Sequence, residues 1–266
     1  MPSSILHPPS PSLPAHWHLL NSGPCDAAFN MALDEALLES MPRLGRPALR
    51  FYGWTQPAAS FGYFQHYAEI ERATKLRPLV RRPTGGGLVP HDADWTYSLA
   101  FPTTHEWYSL SATESYQRAH EWIRDSFTRL GVATELAPCC RKTAPGQCFA
   151  GYEKSDVLWQ GRKIAGAAQR RTKTGLLIQG SVQPTGVGAE RSAWEAAMLD
   201  EAEAKAPDER EHVTPFIRNH TNCARANHAP RRTRRDARAV THAWRGARIA
   251  CEALALITLA FAGRVR

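Results

Sequence analysis

The chain has 266 residues, of which 43% are hydrophobic and 22% charged, enough length to bury a core and too much apolar content for a disordered chain. No apolar run approaches the ~20 residues of a membrane span; the longest, residues 249–263, carries Glu252. The formal charge of +8 is uneven: residues 213–266 hold eleven arginines, no lysine and two acids, for +9, which leaves −1 on residues 1–212. Overall charge therefore gives no argument for nucleic acid as a partner.

Residues 1–16 read as a flexible leader rich in proline and serine, with neither the basic start nor the apolar stretch of a signal peptide. A cytoplasmic location is the expectation. The six cysteines (Cys25, Cys139, Cys140, Cys148, Cys223, Cys251) show no CxxC pair and no zinc spacing with histidine, which implies free thiols and no metal.

Trp17–Leu20 reads as a first strand. Asp26–Ser40 reads as a helix, with Asp26 as N-cap and Phe29, Leu33, Ala36 and Leu37 on one face. Strand-like runs at Ala48–Trp54 and Ala58–Phe64 flank a turn at Thr55-Gln56-Pro57. Leu79–Arg82 runs into the loop Pro83-Thr84-Gly85-Gly86-Gly87. Trp95, Tyr97, Leu99 and Phe101 then alternate as in a half-buried strand. Ser111 and Glu114 open a helix with a capping box, its stripe runs from Tyr116 to Leu130, and Gly131 ends it. Three strands, Ser155–Trp159, Lys163–Arg171 and Leu176–Val182, read as a meander, and Glu190–Ala206 as a last helix. The order predicts an α+β domain with mainly antiparallel sheets flanked by helices over residues 17–212. From residue 213 the text becomes Arg/Ala-rich without apolar periodicity. That texture reads as a solvated basic tail, as an arm for an anionic partner or, the reading favoured here, as a shifted reading frame in a GC-rich gene, and this 213–266 tail receives no function.

The glycine loop brings backbone N–H groups near an anion or a thin acyl chain, with Arg81 and Arg82 before it and His91-Asp92 after it. It lacks the Gly-Lys-Ser/Thr ending of a P-loop, and a strand rather than a helix follows. Each feature has a plainer reading: a bare turn, surface arginines, a capped histidine. Lys163 opens a strand of unusually small residues, Ala165, Gly166, Ala167 and Ala168. Such a strand leaves room for something to pass close by, although strand lysines are usually solvated. Cys148 lies in a loop before that strand; a thiol becomes nucleophilic beside positive charge, whereas most cysteines are inert.

Taken together, the segment Arg81-Arg82-Pro83-Thr84-Gly85-Gly86-Gly87-Leu88-Val89-Pro90-His91-Asp92 resembles the lipoyl-site loop of the lipoate-protein ligase, octanoyltransferase and biotin-protein ligase superfamily. Gly161–Gln169 resembles its lysine motif. Gly23–Leu38, Leu49–Trp54 and Ser60–Gln65 fit in the same order, so the resemblance spans roughly residues 17–185. It implies the lipoate/biotin protein ligase catalytic-domain fold, with an eight-carbon acyl chain held between the glycine loop and the lysine strand. Arg82, Gly85, Gly86 and Gly87, with Gly166 and Ala167 opposite, would line that site; His91 would sit at its edge, and Lys163 would contact the acyl carbonyl.

Cys148-Phe149, followed by Tyr152-Glu153 and then Lys163, resembles the cysteine-dependent octanoyltransferases. That resemblance implies an acyl-enzyme on Cys148, with Lys163 lowering its pKa. The donor would be octanoyl-acyl carrier protein. The acceptor would be a lysine of a lipoyl-carrier domain, the glycine-cleavage H protein or a dehydrogenase E2 subunit. No cofactor would be needed, and a monomer is the simplest expectation. Gly87 and His91-Asp92 are closer to the ligase version, which uses ATP and Mg to make a lipoyl-adenylate. A non-catalytic acyl- or carrier-binding homologue is the third reading.

Overall fold

The computed structural model describes residues 17–142, 146 and 148–204. The leader, the end of the last expected helix and the whole 213–266 tail lie outside the described residues. In chain order the elements are β1 (His18–Cys25), α1 (Ala27–Leu44), β2 (Ala48–Trp54), β3 (Ala58–Phe61), α2 (Tyr67–Ala73), β4 (Leu79–Arg81), β5 (Val89–His91), β6 (Trp95–Pro102), α3 (Glu106–Ser109) and α4 (Ala112–Arg129). Then follow β7 (Glu135–Leu136), β8 (Arg141–Lys142), β9 (Gly151–Tyr152), β10 (Val157–Trp159), β11 (Arg162–Thr172), β12 (Gly175–Val182) and α5 (Arg191–Ala204).

A seven-stranded sheet runs β1-β2-β6-β12-β11-β10-β7, a three-stranded sheet runs β4-β3-β5, and β8 pairs with β9. In the large sheet only β1 and β2 are parallel. The α+β, mainly antiparallel architecture is thus as the sequence predicts, and β10, β11 and β12 are the expected meander. The turn between β10 and β11 has Gln160 and Gly161 both at positive φ, 50° and 71°, the two-residue hairpin geometry that follows the strand twist.

Local chemistry sets the helix ends. The Asp26 carboxylate accepts from the Phe29 N–H at 2.9 Å to start α1. That helix runs past Ser40 and through Pro42 to Leu44, where Gly45 takes the left-handed conformation (φ 65°) and stops it. At α4, Ser111 and Glu114 form the reciprocal capping box.

Strand β6 is buried on both faces, not one. Trp95, Tyr97, Leu99 and Phe101 meet α4 and α5 through Trp122, Ile123, Phe127, Trp194 and Met198. The other face lies under α1. There Ala100 joins Leu33, Leu37, Met41 and Leu177, while Thr96 and Ser98 are buried because their hydroxyls are bonded: Trp54 Nε1 donates to Thr96 at 2.8 Å, and Ser98 donates to Asp34 at 2.7 Å. The alternation seen in the sequence reflects two kinds of interior rather than interior and solvent.

Candidate functional site

The polar end of the α1 face begins at a buried ion pair. Arg50 on β2 donates to Asp34 on α1 at 2.6 Å, and also to the Asn30 carbonyl, the Asn30 side chain and Ser22. Asp34 further accepts from Tyr52, Ser98 and Gln179, so neither buried charge is left without partners. Gln179 carries this scaffold outward: its amide donates to Asp34 at 2.6 Å and its carbonyl accepts from Thr84 at 2.7 Å. The glycine loop is thereby bolted to the large sheet.

Around that loop stands a second buried network. Arg82 donates to Ser60 Oγ at 2.8 Å and to the Gly85 and Gly87 carbonyls at 3.0 and 2.7 Å. Ser60 Oγ lies 2.6 Å from His91 Nε2, His91 Nδ1 lies 2.7 Å from Asp94, and Ser181 donates to the same Asp94 oxygen at 2.7 Å. Arg82 can only donate, so Ser60 Oγ accepts from it and bridges to His91 Nε2, while His91 Nδ1 meets the Asp94 carboxylate. The ring is also stacked on Trp54, with centroids 3.9 Å apart. His91 therefore forms wall, with both nitrogens occupied. Its carboxylate partner is Asp94, not the neighbouring Asp92, which is exposed.

Cys148 is brought to this network by the loop after β8. The Leu88 N–H donates to the Gly146 carbonyl at 2.8 Å, the Cys148 N–H donates to the Leu88 carbonyl at 3.1 Å, and the Gly87 N–H donates to the Cys148 sulfur at 3.1 Å. The loops press so closely that a Cβ on Gly87 would lie 2.6 Å from the Gly146 oxygen, which explains glycine there. Burial pulls the Arg82 guanidinium down from its usual pKa, and the nearby Cys148 charge pulls it back up.

Lys163 is buried, at 8% exposure, and not a solvated strand lysine. It lies 2.7 Å from Asp156 and over the Phe149 ring at 5.0 Å. A β-bulge aims it: Val157 faces Ala165, yet Leu158 faces Lys163, so one extra residue enters β11. Strict alternation would put Lys163 and Gly166 on opposite faces. In the bulged strand a Cβ on Gly166 would meet Lys163 Cε and Nζ at 2.6 Å, so the missing side chain is the space the lysine occupies. Asp156 is fixed in turn by Tyr116 and by the Glu153 N–H. Burial first, and then the Asp156 charge, hold the Tyr116 phenol well above its usual pKa.

Two spaces meet at these residues. One is a narrow, partly open pocket, walled by Met31, Tyr52, Trp54, Val89, Phe149 and the α1 face of β12, with Arg82, His91 and Gly166 also on its lining. The other is a wider, open groove past Gly86, Gly87, Gly146 and Tyr152. Cys148, Lys163 and Ala167 line both. The structure thus gathers nearly all of the expected site residues. Gly86 and Gly87 line the groove rather than the pocket, and Gly85 lines neither, serving Arg82 through its carbonyl. Arg81 is exposed and bonds to the Tyr63 and Gln65 carbonyls. Sequence reasoning missed Ser60, Asp94, Asp156 and Tyr116, of which only Asp94, one helical turn's spacing beyond His91, left a trace in the text. Of the cysteines in the described residues, Cys139, Cys140 and Cys148 are free. Cys25, fully buried, is disulfide-bonded, which corrects the expectation of free thiols at that position.

Comparison with known proteins places this geometry in a family. Residues 26–208 match the lipoyl protein ligase A/B catalytic domain. The chain is 39% identical over 180 residues to octanoyltransferase LipM of Geobacillus kaustophilus, covering 62% of this chain and 64% of that one. To octanoyltransferase LipM of Staphylococcus aureus it is 35% identical over 180 residues, covering 62% and 65%. It therefore spans just under two thirds of the length of these relatives. Among solved structures, a lipoate-protein ligase A bound with ATP superposes with a TM-score of 0.55 at 19% identity, covering 71% of this chain and 84% of that one. A bipartite lipoate protein ligase of Thermoplasma acidophilum superposes with a TM-score of 0.53 at 19% identity, covering 71% and 83%. The ordered glycine-loop, thiol-loop and lysine-strand segments all fall inside the matched range, and the chain belongs to the lipoyl protein ligase A/B catalytic-domain family.

Proposed function

We propose that this protein is an octanoyltransferase of protein lipoylation, moving an octanoyl or lipoyl group from a thioester through Cys148 to a lysine of a lipoyl-carrier domain. One observation carries the reading: the Cys148 thiol stands where a partly open, largely apolar pocket meets a wide groove, with the Gly87 N–H on its sulfur. A tethered thioester enters through the groove, its chain fills the pocket, and its carbonyl stops at the sulfur. The naming of the curated relatives as octanoyltransferases supports the same choice.

The thiolate form of Cys148 attacks the thioester carbonyl. The carbon–sulfur bond to the donor breaks, and the departing thiolate takes up a proton from solvent. The Gly87 N–H and the charge of Arg82 favour the attacking thiolate. Lys163, held on the pocket wall by Asp156, polarises the carbonyl and stabilises the oxyanion of each tetrahedral intermediate. In the second half, the neutral ε-amine of the carrier lysine attacks the acyl-cysteine, its nitrogen gives up a proton to solvent, an amide forms and the Cys148 thiolate is released. Arg82, Gly166 and Ala167 position the acyl group, and His91 holds Arg82 through Ser60.

The donor in this reading is octanoyl-acyl carrier protein, and the acceptor is the glycine-cleavage H protein or a dehydrogenase E2 domain, in the cytoplasm. A thioester is already activated, so ATP has no role in the transfer. The test is octanoyl transfer to a purified lipoyl domain with and without ATP, for wild type and Cys148→Ala. Turnover that needs Cys148 and ignores ATP is expected. Turnover from free lipoate that needs ATP and survives Cys148→Ala would establish the ligase chemistry instead, and binding without turnover a non-catalytic homologue.

A further inference from the structure

Among the described residues the large hydrophobic side chains that stand most exposed are Tyr63 (49%), Phe64 (85%) and Tyr67 (47%), all within one turn and the start of α2. Burial would favour tucking such rings away, yet this turn is pinned open. The Tyr63 N–H donates to the Thr84 carbonyl at 2.9 Å, and the Gln65 N–H to the Gly62 carbonyl at 3.0 Å. The Gln65 side chain accepts from the Gly62 N–H at 2.9 Å and donates to the Gly146 carbonyl at 3.0 Å. Arg81 bonds to the Tyr63 and Gln65 carbonyls from beneath. The Tyr63 and Phe64 rings meet edge to face at 5.2 Å, and Phe64 stands in solvent on a turn whose backbone is fixed by these bonds.

The same turn borders the groove, since Gln65 lines it together with Gly146 and Cys148. Arg170 lies 5.6 Å from the Tyr63 ring, and Arg81 supports the turn from below, over the buried Phe61 ring. Arg170 has a loose, half-exposed partner in Glu35 at 3.4 Å. On α2 Glu71 faces Arg77 at 3.8 Å. An exposed aromatic turn with Arg81 below it and Arg170 beside it has the composition of a protein-binding hot spot.

We propose that the Tyr63–Phe64 turn, with Arg81 and Arg170, is the docking surface for the acidic carrier protein that delivers the acyl thioester. The proposal rests on the transferase reading and names the partner of its first half. The arginines decide between the two macromolecules that must visit Cys148. They attract acidic side chains and the anionic phosphodiester of a tethering arm, and they repel the ammonium of an incoming lysine.

The experiment is single-turnover acylation of Cys148 at varied donor concentration, followed by intact mass, in wild type and Phe64→Ala. The donors are octanoyl-acyl carrier protein and S-octanoyl-pantetheine, the second lacking both protein and phosphate. An exposed Phe→Ala leaves the fold intact. With the carrier protein, the half-saturating concentration is expected to rise by about tenfold or more, the limiting rate to hold, and the pantetheine reaction to stay unchanged. Arg170→Gln should shift the same parameter and weaken its salt dependence. Identical concentration curves for the two proteins would overturn the proposal. So would equal slowing with both donors, or a defect confined to deacylation by the lipoyl domain. If wild type takes no octanoyl group from either donor, the transferase reading itself fails and the docking surface falls with it.

Discussion

The α4/α5 face of the large sheet is filled with rings, Phe51, Trp95, Tyr97, Phe101, Phe127 and Trp194, packed mostly edge-on or tilted. The α1 face of the same strands changes character along its length. One end is apolar, with Ala48, Ala100 and Leu177 against Leu37 and Met41. The other is a fully buried polar lattice of Arg50, Asp34, Ser98 and Gln179 that ends at the glycine loop. The rings supply non-directional burial energy, which tolerates adjustment. The lattice supplies direction, since every bond in it has one geometry and an unmade one is costly. The pocket opens on the second kind of interior, where atoms must be held to a fraction of an ångström.

This contrast orders the consequences of mutation. The largest effect belongs to the thiol outside both interiors: Cys148→Ala should lower octanoyl transfer by about 10³-fold or more while the melting temperature stays at the wild-type value. Trp194→Ala and Asp34→Ala should each cost about 3–5 kcal/mol in denaturant unfolding, the first by leaving a cavity, the second by stranding Arg50. They should separate in function. Under conditions where both variants are folded, Asp34→Ala should raise KM for the acyl donor, because Gln179 and Thr84 lose their anchor, and Trp194→Ala should not. Equal KM values would erase the distinction between the two faces.

A pH titration sharpens the comparison from the ring side. His120 on α4 is fully buried, with Nδ1 against the Tyr116 carbonyl. Burial pushes its pKa down to about 4, while the Asp156 charge and the Tyr116 carbonyl pull upward. A histidine whose folded pKa is depressed is protonated more readily when unfolded, so stability falls as pH drops from its ordinary value near 6.5 toward 4. The loss should reach up to about 3 kcal/mol, and His120→Leu should flatten that part of the curve. The smallest effect is expected at Thr84→Val, which removes one bond between loop and lattice: about 1–2 kcal/mol of stability, with a rise in KM for the acyl donor as the second readout.

What the text of the chain reveals follows the same division. Periodic burial is legible, so α1, α4, β6 and the meander are found, as are the caps at Asp26 and Ser111. Helix α2 escapes because seven residues with only Ile70 buried carry no stripe, and β5 escapes because Val89-Pro90-His91 is too short to alternate. Lys163 is visible through the small residues beside it, but its direction depends on a bulge that no pattern of letters announces. Ser60 and Asp156 are ordinary letters in their own segments. They acquire meaning only when β3 is laid beside β5, and β10 beside β11.

The most direct measurement is the intact mass of the protein mixed with octanoyl-acyl carrier protein in the absence of ATP, for wild type and Cys148→Ser. Transfer through the thiol predicts one octanoyl group on the wild type alone, removed by hydroxylamine. A folded wild type that gains no octanoyl group, or an adduct that persists in Cys148→Ser, would contradict it.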